Sequence, residues 1–236
     1  MGSNPTPTAI MNLPELKNKV ICDELDIPED FGRIFSFVDF SNVNRWFEKD
    51  NQDWNNKLLN INEKLDIDIK KLKLFTDIFS KKARIYYGED FRNPESQKFI
   101  YLIRKIFGNK QVTTKDLQRI KHYIVDEEIE VKPIIKDKNG NYIEIRKCNF
   151  DVEISVDAVK MMDYYDTFCI FSGDADFTYL NNFLKNKGKN IIIVKGGFIT
   201  SKLRKSSDLI INAQRIKKYI TRIKENKNLS MSGLCG

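Results

Sequence analysis

Two periods alternate along the chain. Short apolar runs at residues 33–39, 83–88, 168–171, 190–194 and 206–211 have the β-branched and aromatic character of buried strands. Between them, apolar positions recur every three or four residues, as on one face of a helix. Ile67, Ile69, Leu72, Leu74, Phe75, Ile78 and Phe79 give such a face within a polar, mostly helical stretch at 48–82. Strands that alternate with helices predict an α/β fold on a mainly parallel sheet.

Local signals refine this outline. Pro94 opens a helix that Gly108 stops, and Thr113 or Thr114 caps a further helix that includes LQRIKHYI. Asn139-Gly140 lies between β runs at 129–135 and 142–145, a strong hairpin signal. After Lys147, Val152, Val156 and Val159 share one helical face, which Ile154, Ala158 and Met161 widen, so this helix is expected to be largely buried. Gly188 suits a left-handed helix cap. Thr200 to Lys205 make a short basic turn or helix, and a basic helix runs from Asn212 onward. Residues 1–30 are expected to be a flexible polar arm, 31–213 the folded domain, and 214–236 the basic helix and a disordered tail. No internal repeat is visible.

Composition narrows the chemistry. The 236 residues are 41% hydrophobic and 31% charged, with a mean hydropathy of −0.46, which is the balance of a soluble protein with a real core. No apolar stretch approaches membrane-spanning length, and the N-terminus lacks the order of a signal peptide. No membrane partner and a cytoplasmic location are expected. The net charge of +7 favours an anionic partner, although a lysine-rich solvated surface accounts for it as well. Cys22, Cys148, Cys169 and Cys235 form no CxxC pair and read as reduced thiols. A single histidine, His122, makes a histidine base or a His-rich metal site improbable. Any catalysis must rest on carboxylates and a metal.

Acids fall where strands end. The run at 168–171 breaks into Ser172-Gly173-Asp174-Ala175-Asp176 before a helix. At the carboxyl end of a parallel strand such a pair can hold a hard cation, while a helix cap explains one carboxylate well and the second poorly. Asp39 ends another strand, and Asn42 three residues later is equally a cap or a neutral oxygen ligand. Glu89 and Asp90 read better as loop. Glu153 and Asp157, four apart, repel in an isolated helix. Asp151 belongs at the helix start, where the dipole favours an acid. For Asp151 and Asp157 the bland alternative is a cap and a solvated acid.

Taken together these segments resemble the NYN domain family of PIN-like nucleases over about residues 33–213. The family's hydrophobic-D-x-x-N motif is matched by FVDFSN at 37–42, and its S-G-D-x-D-F motif fully at 172–177. The middle motif, K-x-x-D-V with a second Asp in the same helix, is approximated from Lys147. One extra residue precedes Asp151, and the second acid maps to Asp157. Gly188-Lys189, Ser201-Lys202-Leu203 and Ser207-Asp208 approximate the downstream pattern. The resemblance implies a PIN-like three-layer sandwich, a central mainly parallel sheet between helices, with helical insertions near 45–82 and 94–125.

It also implies a metal-dependent ribonuclease. Asp39, Asp157, Asp174 and Asp176, with Asp151 as a further candidate, would hold one or two Mg²⁺ or Mn²⁺ ions; the absence of clustered His and Cys argues against zinc. A metal-oriented water would attack the phosphodiester in line. Asn42 would position a ligand water or phosphate, and Ser172 would bond the substrate or a neighbouring acid. Lys195, Lys202 and Arg204 could meet the RNA backbone, although exposed basic residues are common. A non-catalytic adaptor that keeps the fold is the rival reading, against which the intact acid set argues. A haloacid-dehalogenase phosphatase is set aside because Ser41 stands where that family needs a second Asp. A DNA substrate and a homodimer remain open.

Overall fold

The computed structural model describes residues 13–124 and 135–225. In chain order, α1 (Leu13–Glu24) precedes β1 (Ile34–Asp39), α2 (Phe40–Val43) and β2 (Glu63–Ile67). Next come α3 (Ile69–Phe79), β3 (Ser80–Glu89), α4 (Pro94–Phe107) and β4 (Val112–Asp116). Three strands follow, β5 (Gln118–Tyr123), β6 (Ile135–Asp137) and β7 (Gly140–Lys147), and then α5 (Asp151–Lys160). The chain continues through β8 (Thr167–Phe171), α6 (Thr178–Asn186), β9 (Asn190–Lys195) and α7 (Ser201–Lys205). It closes with β10 (Leu209–Asn212), α8 (Ala213–Ile220) and β11 (Thr221–Glu225).

Six strands form one sheet in the order β10-β9-β8-β1-β3-β4, and every pair is parallel. Successive side chains of a strand point to opposite faces, so a fully covered parallel strand must be apolar throughout. In β8, Phe168 and Ile170 enter one core while Cys169 and Phe171 enter the other. Ile191 and Ile193 of β9 likewise part from Ile192 and Val194. One core is closed by α1, α3, α4 and α8, the other by α5, α6 and α7. The three-layer α/β expectation therefore holds. The register puts Val38 beside both Ile85 and Phe171, so β1 and β8 end together at one edge while β3 runs on to Glu89. Burial pushes the Cys169 thiol up to about 12, and Cys22, Cys148 and Cys169 are all free.

Several local expectations change. Residues 112–123 are strands, not a helix. Val112 to Asp116 extend the main sheet beside Ile85 to Glu89, and Gln118 to Tyr123 pair antiparallel with β7. The spacing of Leu117, Ile120 and Ile124 fits a helix turn, but the open edge of β3 offers Thr113 and Thr114 a ladder that local propensity does not see. The stretch at 45–82 is helical mainly over α3, because Ile67 belongs to β2 and Asp68 caps the helix by accepting from the amides of Lys70 and Lys71. Within the expected flexible arm, α1 is helical, and Ile21, Leu25 and Ile27 are buried in the core. The basic C-terminal helix stops at Ile220, and β11 then pairs antiparallel with β2.

Helix α5 buries Ile154 and Ala158 as expected, whereas Val152, Val156 and Val159, expected to be buried with them, are 71%, 43% and 37% exposed. The Asn139-Gly140 hairpin joins β6 to β7. The expected β run at 129–135 lies outside the described residues apart from Ile135, as do the tail and residues 1–12. Among the described residues, no helix is long and apolar enough to cross a membrane.

Gly32 has φ +63°, and an added Cβ would meet Asp166 Oδ2 at 2.7 Å. That carboxylate takes the Arg33 amide at 2.8 Å and its guanidinium at 3.0 and 3.1 Å, which hold its pKa at about 2. Gly32→Ala is expected to destabilise the fold by more than about 1 kcal/mol, because it adds backbone strain to a displaced ion pair. Urea unfolding compared with Gly108→Ala, where an added Cβ meets no atom within 4 Å although φ is also positive, isolates the clash.

Candidate active site

Four segments deliver side chains to the carboxyl edge of the sheet, the position at which open α/β sheets bind ligands. Asp39 is the last residue of β1 and is buried. It accepts from Ser41 Oγ at 2.5 Å and from Ser172 Oγ at 3.3 Å. Burial pushes its carboxyl above the usual range, while these hydroxyls and the Ser41 and Asn42 amides pull the other way. Ser172, just past β8, is itself buried and also takes the Asp174 amide at 3.2 Å. Asp174 caps the following turn by accepting from the Asp176 amide at 3.1 Å. One carboxylate is thus a cap, as the sequence suggested, and it remains at the site.

Asp151 opens α5, where the amide of its own residue is tied to Asn149 Oδ1 at 2.7 Å. Carboxylate oxygens of Asp151, Asp174 and Asp176 all lie within 4.8 Å of one another. Three unanswered negative charges at that separation repel by about 1 to 3.5 kcal/mol per pair at effective dielectrics between water and a protein surface. Desolvation is the largest cause raising the Asp151 carboxyl, and Asp174, Asp176 and Asp39 add to it.

Asp157 is not brought to this cluster. Six residues farther along α5, about 9 Å down the helix axis, it receives the Tyr86 hydroxyl at 2.8 Å and the Arg84 guanidinium at 2.9 Å. The extra residue before Asp151 lies in the Asn149-Phe150 turn that leads into α5.

Asn42 has a determined orientation. The Trp46 indole N–H reaches its side-chain oxygen at 2.8 Å, and the Gly173 amide reaches the same atom at 3.4 Å. Both groups can only donate, so the atom facing them is the carbonyl oxygen. The NH₂ of Asn42 is left for the cleft as a donor. Trp46 is held by near-parallel stacking on Phe171 at 6.3 Å and by Gly196, where a Cβ would come within 2.6 Å of the indole.

Asp39, Asn42, Asp151 and Asp174 line an open cleft of about 910 Å³. Its rims carry cations the sequence reading passed over: Arg45 and Lys49 after α2, and Arg146 and Lys147 at the end of β7. Arg45 and Lys49 were signalled only by their closeness to Asn42, and Lys147 by the Lys that opens the middle motif. Lys195 folds onto the Gly197 carbonyl at the end of β9. Lys202 and Arg204 are exposed on α7 and do not line the cleft.

The NYN domain family model matches residues 33–216. The chain belongs to the NYN domain family. Its fold is accordingly that of the PIN-like nucleases. A curated relative, the low amplitude and bright protein LabA of Synechococcus elongatus, is 32% identical over 91 residues, 38% of this chain. The match spans about half (48%) of that relative's length. A crystal structure of a protein of unknown function from Vibrio parahaemolyticus superposes with a TM-score of 0.50 at 17% identity, covering 83% of this NYN chain and 99% of the other. That likeness concerns the fold.

Asp151→Asn is expected to stabilise the metal-free NYN domain by about 0.5–1 kcal/mol by removing one like charge. The native fold binds the Asp151 proton more tightly than the unfolded chain does. Stability in EDTA should therefore fall as pH rises from the ordinary carboxylate range through the raised one. Thermal melts from pH 4 to 8 should show a flatter profile for the variant, and added Mn²⁺ should raise the melting temperature of the wild type alone. An unchanged profile would mean the fold does not disfavour the charged Asp151 carboxylate.

Proposed function

We propose that this NYN domain is a metal-dependent nuclease that hydrolyses RNA phosphodiester bonds. The observation that carries the reading is the convergence of Asp151, Asp174 and Asp176 within 4.8 Å at the sheet's carboxyl edge. The donor chemistry fits Mg²⁺ or Mn²⁺, since the clustered groups are all hard oxygens. The one thiol on the cleft, Cys148, is kept protonated by burial and is a poor zinc ligand. His122 is exposed on β5.

In this reading Asp151, Asp174 and Asp176 would hold the ion, with Asp39 close by at the end of β1. A bound divalent ion supplies Lewis-acid charge and lowers the pKa of a water. Asp39, fixed by Ser41 and Ser172, accepts a hydrogen bond from the attacking water and sets its direction. The Asn42 NH₂ donates to a non-bridging phosphate oxygen, where negative charge builds up in the transition state. Arg45, Lys49, Arg146 and Lys147 attract the polyanion to the cleft. Lys195, Lys202 and Arg204 serve strand that leaves along β9 and α7. Asp157 acts through Arg84 and Tyr86, holding α5 against β3.

Cleavage of end-labelled single-stranded RNA and matched DNA with Mn²⁺, Mg²⁺ or EDTA tests this. The wild type is expected to cut RNA only with metal. Asp174→Asn and Asp151→Asn should each lower kcat by about 10²–10³, and Asp157→Asn by less. Cutting that survives both EDTA and Asp174→Asn removes the nuclease reading, and intact RNA binding with no cleavage replaces it with an adaptor. Trp46→Phe keeps the ring but frees the Asn42 amide. It should lower kcat about tenfold with little change in KM, whereas a purely packing role for Trp46 would change stability alone.

A further inference from the structure

The cleft has a second wall, of which the sequence motifs supply only Lys147. It is the separate three-stranded sheet, β5-β7-β6, inserted between β4 and α5. We infer that this inserted sheet is a fixed jaw that grips single-stranded nucleic acid against Arg45 and Lys49, across the acids. The inference rests on reading the cleft as a nucleic-acid site, and it names the surface that holds the strand there.

Its placement follows from the topology. The chain leaves the main sheet at Asp116 and returns at Lys147, four residues before Asp151. The insertion is therefore rooted at the same edge as the acids. Both roots cross Gly88 of β3, where a Cβ would lie 2.8 Å from Cys148 Cβ and 3.0 Å from a Leu117 methyl. The Leu117 amide donates to the Glu89 carbonyl at 2.9 Å. Beside this crossing, Asp90 is 4% exposed and accepts two bonds from Arg119 at 2.6 and 2.8 Å, with Arg146 at 3.5 Å. Arg119 also binds Glu144 across the pair. Buried charge-assisted bonds of this kind resist motion, so the jaw does not hang from a free hinge.

Its two faces differ. Arg119, Lys121 and Glu144 face the anchoring side and are paired there. Ile120 and Ile145, cross-strand partners, lie on the other and are 38% and 43% exposed. Ile145 and Lys147 line the cleft from this face, while Arg146, opposite Arg119 on the anchoring face and 3.5 Å from Asp90, also borders the cleft. Among the described residues Lys147, Arg45 and Lys49 have no ion-pair partner, and Asp90 already has Arg119, which leaves Arg146 56% exposed. The carboxylates on the rim are Glu48 and Asp50, and Lys217 answers Asp50 at 2.6 Å.

The result is cations on both rims, an aliphatic surface on the jaw and acids on the floor. A backbone crossing from rim to rim finds a cation on each side of the phosphate above the acids. Bases can rest on the apolar surface in the sequence-tolerant way of single-strand grooves. A cleft of about 910 Å³ has room for a few unpaired nucleotides.

The test uses the full chain carrying Asp174→Asn, so binding is read without cleavage. Anisotropy of a labelled 12-nucleotide RNA is measured from 50 to 300 mM salt, beside the same strand in a duplex. Arg146→Gln with Lys147→Gln should weaken single-strand binding at least tenfold near 0.1 M salt. The slope of log K against log salt should shrink by about 1.4, two phosphate contacts at 0.7 each. Arg146→Lys with Lys147→Arg should restore both, Lys138→Gln at the hairpin tip should change neither, and duplex should bind more weakly than single strand. Unchanged affinity and slope, duplex binding as tight as single strand, or no binding by the parent each overturn the jaw. A wild type that binds through these residues yet cleaves nothing sinks the nuclease reading and leaves the jaw standing.

Discussion

Like charges held together with no basic side chain paired to them among the described residues are the constraint around which this molecule is arranged. The oxygens of Asp151, Asp174 and Asp176 come from two separate chain segments and still lie within 4.8 Å of one another. Left to themselves the side chains would turn to water. The backbone prevents this, because Asp174 is committed to capping a turn and Asp151 to opening a helix. Both positions are favourable for an acid in their own right. The local free energy of a cap and of a helix start thus offsets part of the repulsion, and the remainder is available to a cation.

The rest of the scaffold keeps that arrangement from relaxing. Parallel strands end at one edge, so β1 and β8 cannot deliver their acids anywhere else. Ser172 sits between them and bonds Asp39 on one side and the Asp174 amide on the other. Trp46 packs over Gly196 and Phe171 and spends its one donor on Asn42. Each contact is ordinary in strength, about 1 kcal/mol as a net hydrogen bond. What they share is direction, since all of them remove rotational freedom from groups that face the cleft.

Much of this was legible in the sequence, and for a physical reason. Covered parallel strands must be apolar on both faces, so 168–171 and 190–194 stand out, and an acid directly after such a run has few structural excuses. Asp39, Asp174 and Asp176 were readable in that way. The inserted jaw was not. Thr113, Thr114 and the LQRIKHYI stretch carry a spacing that a helix also satisfies, and only the free edge of β3 and the partner strand β7 decide otherwise. The valines of α5 misled because they and Ile154, Ala158 and Met161 together look like one wide buried face, but the buried side is the narrow one of Ile154 and Ala158.

The two acids of α5 make the same point about charge. On the helical wheel Asp151 and Asp157 flank the buried Ile154 and Ala158, so each leans toward the sheet, and sequence spacing cannot choose between them. Surroundings do. Asp157 meets Arg84 and the Tyr86 hydroxyl, which satisfy it within the protein. Asp151 meets only other acids beyond its own turn, and burial first, with those acids adding to it, drives its carboxyl upward. A carboxylate already neutralised gains little from an added cation, whereas one crowded by like charges gains most. Of the two, Asp151 is the acid the fold leaves without a basic partner, and spacing along the helix does not reveal it.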